Sequence, residues 1–520
     1  MDPQFASIPV YIGLLAAWFF VSERYVQLPV QLLVGLTTYH VPEEQPGSRG
    51  AASETFVTTK KKLHKPQPDK PQGELVAASK KRKAEERRAK EERPALDLGV
   101  AGNLAHVPLP LSAAVGTPFF AELDSLLSTT SICATQYLAG ELLHRFTGLP
   151  RSPLVTLFCL VALFQGLRAL VRCELRARHV RPDHGAILAL FGVGGLVFGG
   201  LILRTPRWLI NFRVVEAARA LRPSFMQWLR GLLKPAMAAG DRGGPEPAFV
   251  SAVRVLIEEP EGGWPAVKTV PLLLLLPFAC LAGAASALLT TPALRAARSY
   301  WLCMSPPEWG DDYFRPPLFV RTVLHAAVVL PMLSFLAWIG PAGLPLLAPR
   351  ALQIYVKPGL VALWALTQLL AARPLLQSYL NGALVAWHDL KVDAERAKDA
   401  PTSRKIVKRM RATNDLIFSY LGRVATMMVA PACLLLAGAI LYVSRGTPGM
   451  GTTAAPISAV GLKGFKDPVL HFLPMSPELV DASFHYLSFT SATVWLVWVT
   501  ASLWMFRTGI MGHNSFQLAV

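Results

Sequence analysis

The stretch Val270–Leu289 reads VPLLLLLPFACLAGAASALL, a run without one charged side chain. At a helical rise of ~1.5 Å per residue, ~20 apolar residues cover the ~30 Å hydrocarbon core of a bilayer. Inside lipid such a run must be helical, because every backbone N–H and C=O has to find its partner within the segment. Working outward, the signal recurs at Leu154–Val171, Gly185–Leu203, Val323–Ile339, Val356–Ala372 and Val424–Val443. It returns more weakly at Ile8–Val21, Leu123–Leu143 and Tyr486–Phe506. The reading is an all-α fold: a polytopic transmembrane helical bundle of about nine spans, with interfacial amphipathic helices and a disordered basic linker. A length of 520 residues alone would suggest several soluble domains, but 52% hydrophobic and 17% charged residues favour one embedded bundle.

The chain divides accordingly. Residues 1–44 hold the first span and a short apolar piece, Val26–Leu36, expected to lie at the interface or re-enter. The start, Met1–Val21, has no basic n-region, so it reads as a retained span rather than a cleaved signal. Residues 45–95 form a Pro-, Lys-, Arg- and Glu-rich linker with too few large apolar side chains to offset its ordering entropy. Spans two to four occupy 96–203, spans five to seven 270–390, and the last two, with the C-terminal tail, 424–520. Between them lie an amphipathic segment, 204–269, and a basic loop, 391–423. In the amphipathic segment, Phe225, Trp228, Leu229, Leu232 and Leu233 share one helical face, as do Trp208, Leu209, Phe212 and Val215. Such faces either lie in the membrane interface or pack on the bundle.

A net charge of +18 on a soluble chain would point to nucleic acid. Here the basic residues gather in loops, and the 45–95 linker lacks the interleaved aromatics of a nucleic-acid surface. The positive-inside bias and attraction to anionic lipid explain the charge, so membrane lipids, not nucleic acid, are the expected partners of the basic loops. That bias puts 45–95, 172–184 and 391–423 in the cytosol, with the N-terminus outside and the C-terminus inside. The Arg-bearing 204–269 segment then falls outside, against the bias, which long loops obey weakly. The six cysteines are scattered, with no CxxC or Cys/His pairing, so neither a metal site nor a disulfide framework is signalled. No cofactor motif and no catalytic constellation stands out, and a non-enzymatic protein is expected.

A charge at the centre of a span costs ~2.5–3.5 kcal/mol on insertion scales, so intramembrane polar residues are the candidates for function. They are Glu141 with Gln136 a turn before it, Arg168, His325 and Gln368. Two readings stand side by side: a transport path if they converge on a cavity, or ordinary pairing and snorkelling if they do not. Gly192, Gly195 and Gly199 sit inside a span, where they permit close helix approach rather than phosphate binding. Pro331 and Pro431 mark kinks that free backbone carbonyls.

Six strings carry a resemblance. They are Leu32-Leu33-x-Gly35-Leu36-x2-Tyr39-x2-Pro42-Glu43-Glu44, Tyr137-Leu138-x2-Glu141-x4-Phe146, and LTTPALRAA at Leu289–Ala297. The others are Leu324-His325-x5-Pro331-x6-Trp338-x2-Pro341, RPLLQSYLN at Arg373–Asn381, and Tyr420-Leu421-x3-Ala425-x3-Val429-Ala430-Pro431. In this order, with a basic linker after the first, the chain resembles the transmembrane protein 161 family from about residue 8 to 510. An acidic, aromatic insert (Glu308, Trp309, Asp311, Asp312, Tyr313) and the 204–269 segment depart from the pattern.

The resemblance implies a multi-pass membrane protein linked to restraint of ion currents, to excitability and to oxidative stress responses. The expected action is through a partner channel, transporter or membrane complex, at the plasma membrane or an endomembrane; the alternatives are a transporter or lipid scramblase in its own right, and a structural subunit or scaffold of a membrane complex. The matched residues Arg295, Arg373, Gln377, Tyr379 and Asn381 are expected to cluster at the cytosolic face. There they either grip a lipid phosphate or a partner's helix end, or hydrogen-bond between helices to fix the bundle.

Overall fold

The structure is a computed structural model. It describes residues 8–24, 27–40, 105–109, 115–148, 154–180, 182–205, 209–210, 212, 214, 217, 272–307, 309, 314–339, 350–397, 412, 416–445 and 477–510. The elements in chain order are α1 Ile8–Arg24, α2 Leu28–Leu33, β1 Thr37–His40, β2 Ala105–Pro108, α3 Phe120–Thr147 and α4 Leu154–Val180. They continue with α5 Pro182–Leu203, α6 Leu272–Met304, α7 Leu318–Leu336, α8 Arg350–Ala397, α9 Leu421–Arg445 and α10 Pro477–Arg507.

Seven of these, α4 to α10, are long and apolar enough to cross a membrane. Helix α1 offers a shorter apolar run, Pro9–Val21. Helix α3 is long but carries Glu122, Asp124, Glu141 and Arg145. The charged 45–95 linker and residues 225–234 lie outside the described residues.

Helix α9 is the axis of the bundle. Every residue from Leu421 to Cys433 is buried, and α3, α4 and α8 pack around it. Its sequence explains the close fit: Ala425, Ala430, Ala432, Ala437 and Ala439 let neighbouring backbones approach. Helix α6 packs on α5 and α10. The α5 glycines make that seam. A Cβ on Gly195 would run into Ser286 and Ala282, and one on Gly199 into Ala282 and Tyr486, while Gly192 rests in ordinary contact on Ala287. The glycine stripe therefore packs within the chain. Pro331 and Pro431 are buried inside α7 and α9, where each removes one helical N–H.

The described part of the 204–269 segment turns inward. Phe212 is buried against Tyr486 and Phe489, with ring centroids 5.5 and 5.4 Å away. Of the two readings of Phe212, packing on the bundle holds.

Two features depart from the all-α expectation and from the expected span ends. First, β1 pairs antiparallel with β2, Thr37 opposite Pro108 and His40 opposite Ala105, across the linker. The Val26–Leu36 piece, expected to lie at the interface or re-enter, holds the short helix α2 and leads into β1, with Leu33 and Leu36 in the main core. Second, α6 continues to Met304 and α8 to Ala397, so Arg295 and the Arg373–Asn381 string lie within helices rather than after them. Hydropathy marks where lipid ends, not where the helix ends.

Candidate functional site

The expected cluster of Arg295, Arg373, Gln377, Tyr379 and Asn381 splits between two faces of α8. Arg373, Gln377 and Asn381 are four residues apart and share one face. That face clamps the chain beside β1. The Arg373 guanidinium donates to the Val34 carbonyl at 2.8 Å. The Gln377 amide takes both backbone polar groups of Thr37 and its hydroxyl: its oxygen accepts from the Thr37 N–H at 2.9 Å, and its nitrogen donates to the Thr37 carbonyl at 3.2 Å and to Oγ1 at 3.0 Å. Asn381 Oδ1 accepts from Gln377 Nε2 at 2.7 Å and from the Tyr39 hydroxyl at 3.0 Å. These three side chains hold this protein's own strand.

Tyr379 points the other way, to the seam between α6, α8 and the start of α9. Its hydroxyl donates to the Ile417 carbonyl at 3.3 Å. Around it gather Arg295 and Arg298 from α6 and Arg423 from the first turn of α9, all within electrostatic reach of the phenol. Glu174 of α4 and Cys173 beside it complete the set around Arg295. Arg423 is only 4% exposed and Glu174 3%. Arg295 is partly buried, but its Nη1 is fully so. Neither that nitrogen nor Nε of Arg423 has a hydrogen-bond acceptor among the described residues.

The wall of this cluster is locally strained. Phe119, at the start of α3, has φ 73°, a left-handed value that is costly for a bulky residue. Packing holds it: Cys173 and Met427 sit against its ring, and the Arg176 guanidinium lies 5.3 Å from the ring centroid. Gly422 allows the approach, because a Cβ there would stand 2.5 Å from the Pro118 carbonyl oxygen. Beside it, Glu122 pairs with Arg172 at 3.0 Å.

The intramembrane candidates do not meet. Buried Gln136 donates to the Tyr11 carbonyl at 3.3 Å, tying α3 to α1. Glu141, expected on the same face, pairs with the exposed Arg145 one turn on. Gln368 of α8 donates to the Ala327 carbonyl of α7 at 3.1 Å. His325 is exposed and shares a 2.9 Å hydrogen bond with the Tyr300 hydroxyl. Arg168 is exposed on α4.

Residues 248–452 match a family described as predicted transmembrane protein 161AB. That match supports the resemblance to the transmembrane protein 161 family over this part of the chain. No curated protein and no solved structure matches it. The matched region runs through α6, α7, α8 and α9, and so holds Arg295, Arg298, Tyr379 and Arg423, as well as Gln377 and Asn381. It includes four of the six resemblance strings; those at Leu32–Glu44 and Tyr137–Phe146 lie outside it. It also takes in the acidic insert and the end of the 204–269 segment, the two places where the sequence departs from the transmembrane protein 161 pattern.

Several groupings are visible only in three dimensions. Trp338 donates its indole N–H to His485 Nδ1 at 3.1 Å, and His485 Nε2 faces Asp481 at 3.2 Å. That geometry puts the imidazole hydrogen on Nε2. Trp309 of the insert stacks on His388, with centroids 4.1 Å apart. The Cys133 and Cys159 sulfurs touch at 3.2 Å as free thiols. Apart from Asp481 and His485, four residues apart on α10, these contacts join residues far apart in sequence, with no spacing to betray them. Among the described residues no group of three His, Cys, Asp or Glu side chains is placed to hold a metal.

Proposed function

We propose that this multi-pass membrane protein is non-enzymatic and acts on ion currents, membrane excitability or stress responses through a partner channel, transporter or membrane complex. The observation that carries the reading is the dispersal of the intramembrane polar groups. Gln136, Gln368, His325 and Glu141 each engage a different neighbour, and each contact ties one turn or one helix to another. A transport path needs such groups in a file along a cavity; these are fasteners of a bundle.

The same reading takes α1 and α3 as two further crossings, making nine, with the basic loops on the cytosolic side against anionic lipid. Segment 204–269 then contributes interfacial helices beyond Phe212. The membrane is the plasma membrane or an endomembrane. Patch-clamp recording tests the proposal. Cells expressing the chain should show altered amplitude of their native potassium or calcium currents, with unchanged reversal potentials and blocker sensitivity. A new, blocker-insensitive conductance would mark the chain as a channel instead.

A further inference from the structure

We propose that the groove between the C-terminal ends of α6 and α10 binds one anionic glycerophospholipid, its phosphodiester on Arg507 and a chain along α10. The groove holds about 460 Å³, within the ~300–1,000 Å³ of small-molecule sites. Tyr300, Trp301 and Ser305 line it from the end of α6, and Leu503, Trp504 and Arg507 from α10. Its walls are held in place. Trp301 stacks on Phe506 with ring centroids 6.1 Å apart, and the Tyr300 hydroxyl meets His325 Nδ1 at 2.9 Å.

Depth, exposure and charge together name the occupant. Leu487–Phe506, 20 residues, carry no charged side chain, and Arg507 ends the run. That length covers the hydrocarbon core, so Arg507 stands where the headgroups begin. Tryptophan and tyrosine gather at this level, where an apolar ring and a polar edge are both accommodated. Val497, Thr500, Trp504 and Arg507 are all exposed, and steps of three and four put them on one stripe of α10. The Thr500 hydroxyl turns back to the Leu496 carbonyl at 2.7 Å, so the stripe stays apolar until it reaches Arg507. A lipid chain lies along such a stripe with its headgroup at the cation. Arg507 is the one charged residue among those lining the groove, and no carboxylate pairs with it among the described residues. One guanidinium matches the single negative charge of a phosphodiester, whose oxygens it meets through paired N–H donors. Ser305 brings a hydroxyl to the same groove. The site stands apart from the ion-current reading, because it concerns what the bundle holds and not what it regulates.

The test is native mass spectrometry of the full-length protein in neutral detergent, titrated with phosphatidylglycerol and, separately, with phosphatidylcholine. Phosphatidylcholine carries the same phosphodiester with its own cation attached, so the comparison isolates the uncompensated charge. The first phosphatidylglycerol should half-saturate at a concentration roughly fivefold lower, the share of one basic residue at an anionic surface. Arg507→Gln, a change at an exposed side chain, should remove that preference. Ser305→Phe fills the groove with every charge left in place, and it should lose the tight phosphatidylglycerol as well. If Ser305→Phe does not fold, Leu503→Trp fills the groove from α10. Arg168→Gln, at an exposed cation of α4 that does not line the groove, should change nothing. Equal half-saturation by the two lipids, a preference that survives Arg507→Gln or a folded groove-filling variant, or an equal loss in Arg168→Gln would overturn the proposal. A wild-type dimer that Ser305→Phe splits would give the groove to a second copy of the chain and overturn it too.

Discussion

Gln377 shows what a single side chain does in this bundle. A two-stranded ribbon alone is marginal in water, and the Gln377 amide fastens β1 by bonding both backbone groups of Thr37, 340 residues away in sequence. Gln377→Leu leaves those groups without their partner, and we expect a loss of ~1–3 kcal/mol, read as a lower melting temperature in detergent. Trp338→Phe is the matching case at the other end of the bundle. It keeps the ring but removes the donor to His485 Nδ1, for an expected loss of ~1–2 kcal/mol in the same assay. At this scale the sequence is half legible. The i,i+4 spacing of Gln377 and Asn381 is local and readable as one helical face. Their partners Thr37 and Tyr39 are not, because nothing local reports which strand will lie beneath that face. Arg423 was legible only as one of many loop cations, since its burial comes from four helices meeting around it.

The α5–α6 seam gives the lesson at the scale of elements. Adjacent glycines make opposite predictions. Gly195 faces α6 with no room for a Cβ, whereas Gly194 has open space around it. Gly195→Ala forces the helices apart and should cost ~1–3 kcal/mol, as overpacking does. Gly194→Ala should be neutral or gain up to ~1 kcal/mol from helix propensity. Thermal melts of the two variants check this, and equal effects would contradict the seam. The apolar spans were readable because lipid demands a fixed length of uncharged helix. Their continuations, α6 to Met304 and α8 to Ala397, were not, because a helix that has left the apolar layer keeps its hydrogen bonds without keeping its hydropathy. The ribbon was hidden for another reason: two four-residue strands on either side of the linker show too little alternation to stand out from a loop.

For the whole molecule, the order of the helices fixes which loops share a side. Glu174 near the end of α4 and Arg423 at the start of α9 meet through Arg295 in one cluster, so the loops next to them lie on one side of the bundle. Cysteines introduced as Asp183→Cys and Arg409→Cys should therefore react with a membrane-impermeant reagent from the same side, and labelling from opposite sides would break the arrangement. The central claim is that the polar residues of the bundle fasten it rather than line a path. Flux from proteoliposomes holding only the purified protein tests it most directly, with potassium, calcium, protons and labelled lipid each assayed and the fold checked by circular dichroism. The account predicts rates equal to empty liposomes for all four. Transport above that level, abolished by Glu141→Gln in protein that still folds, would contradict it.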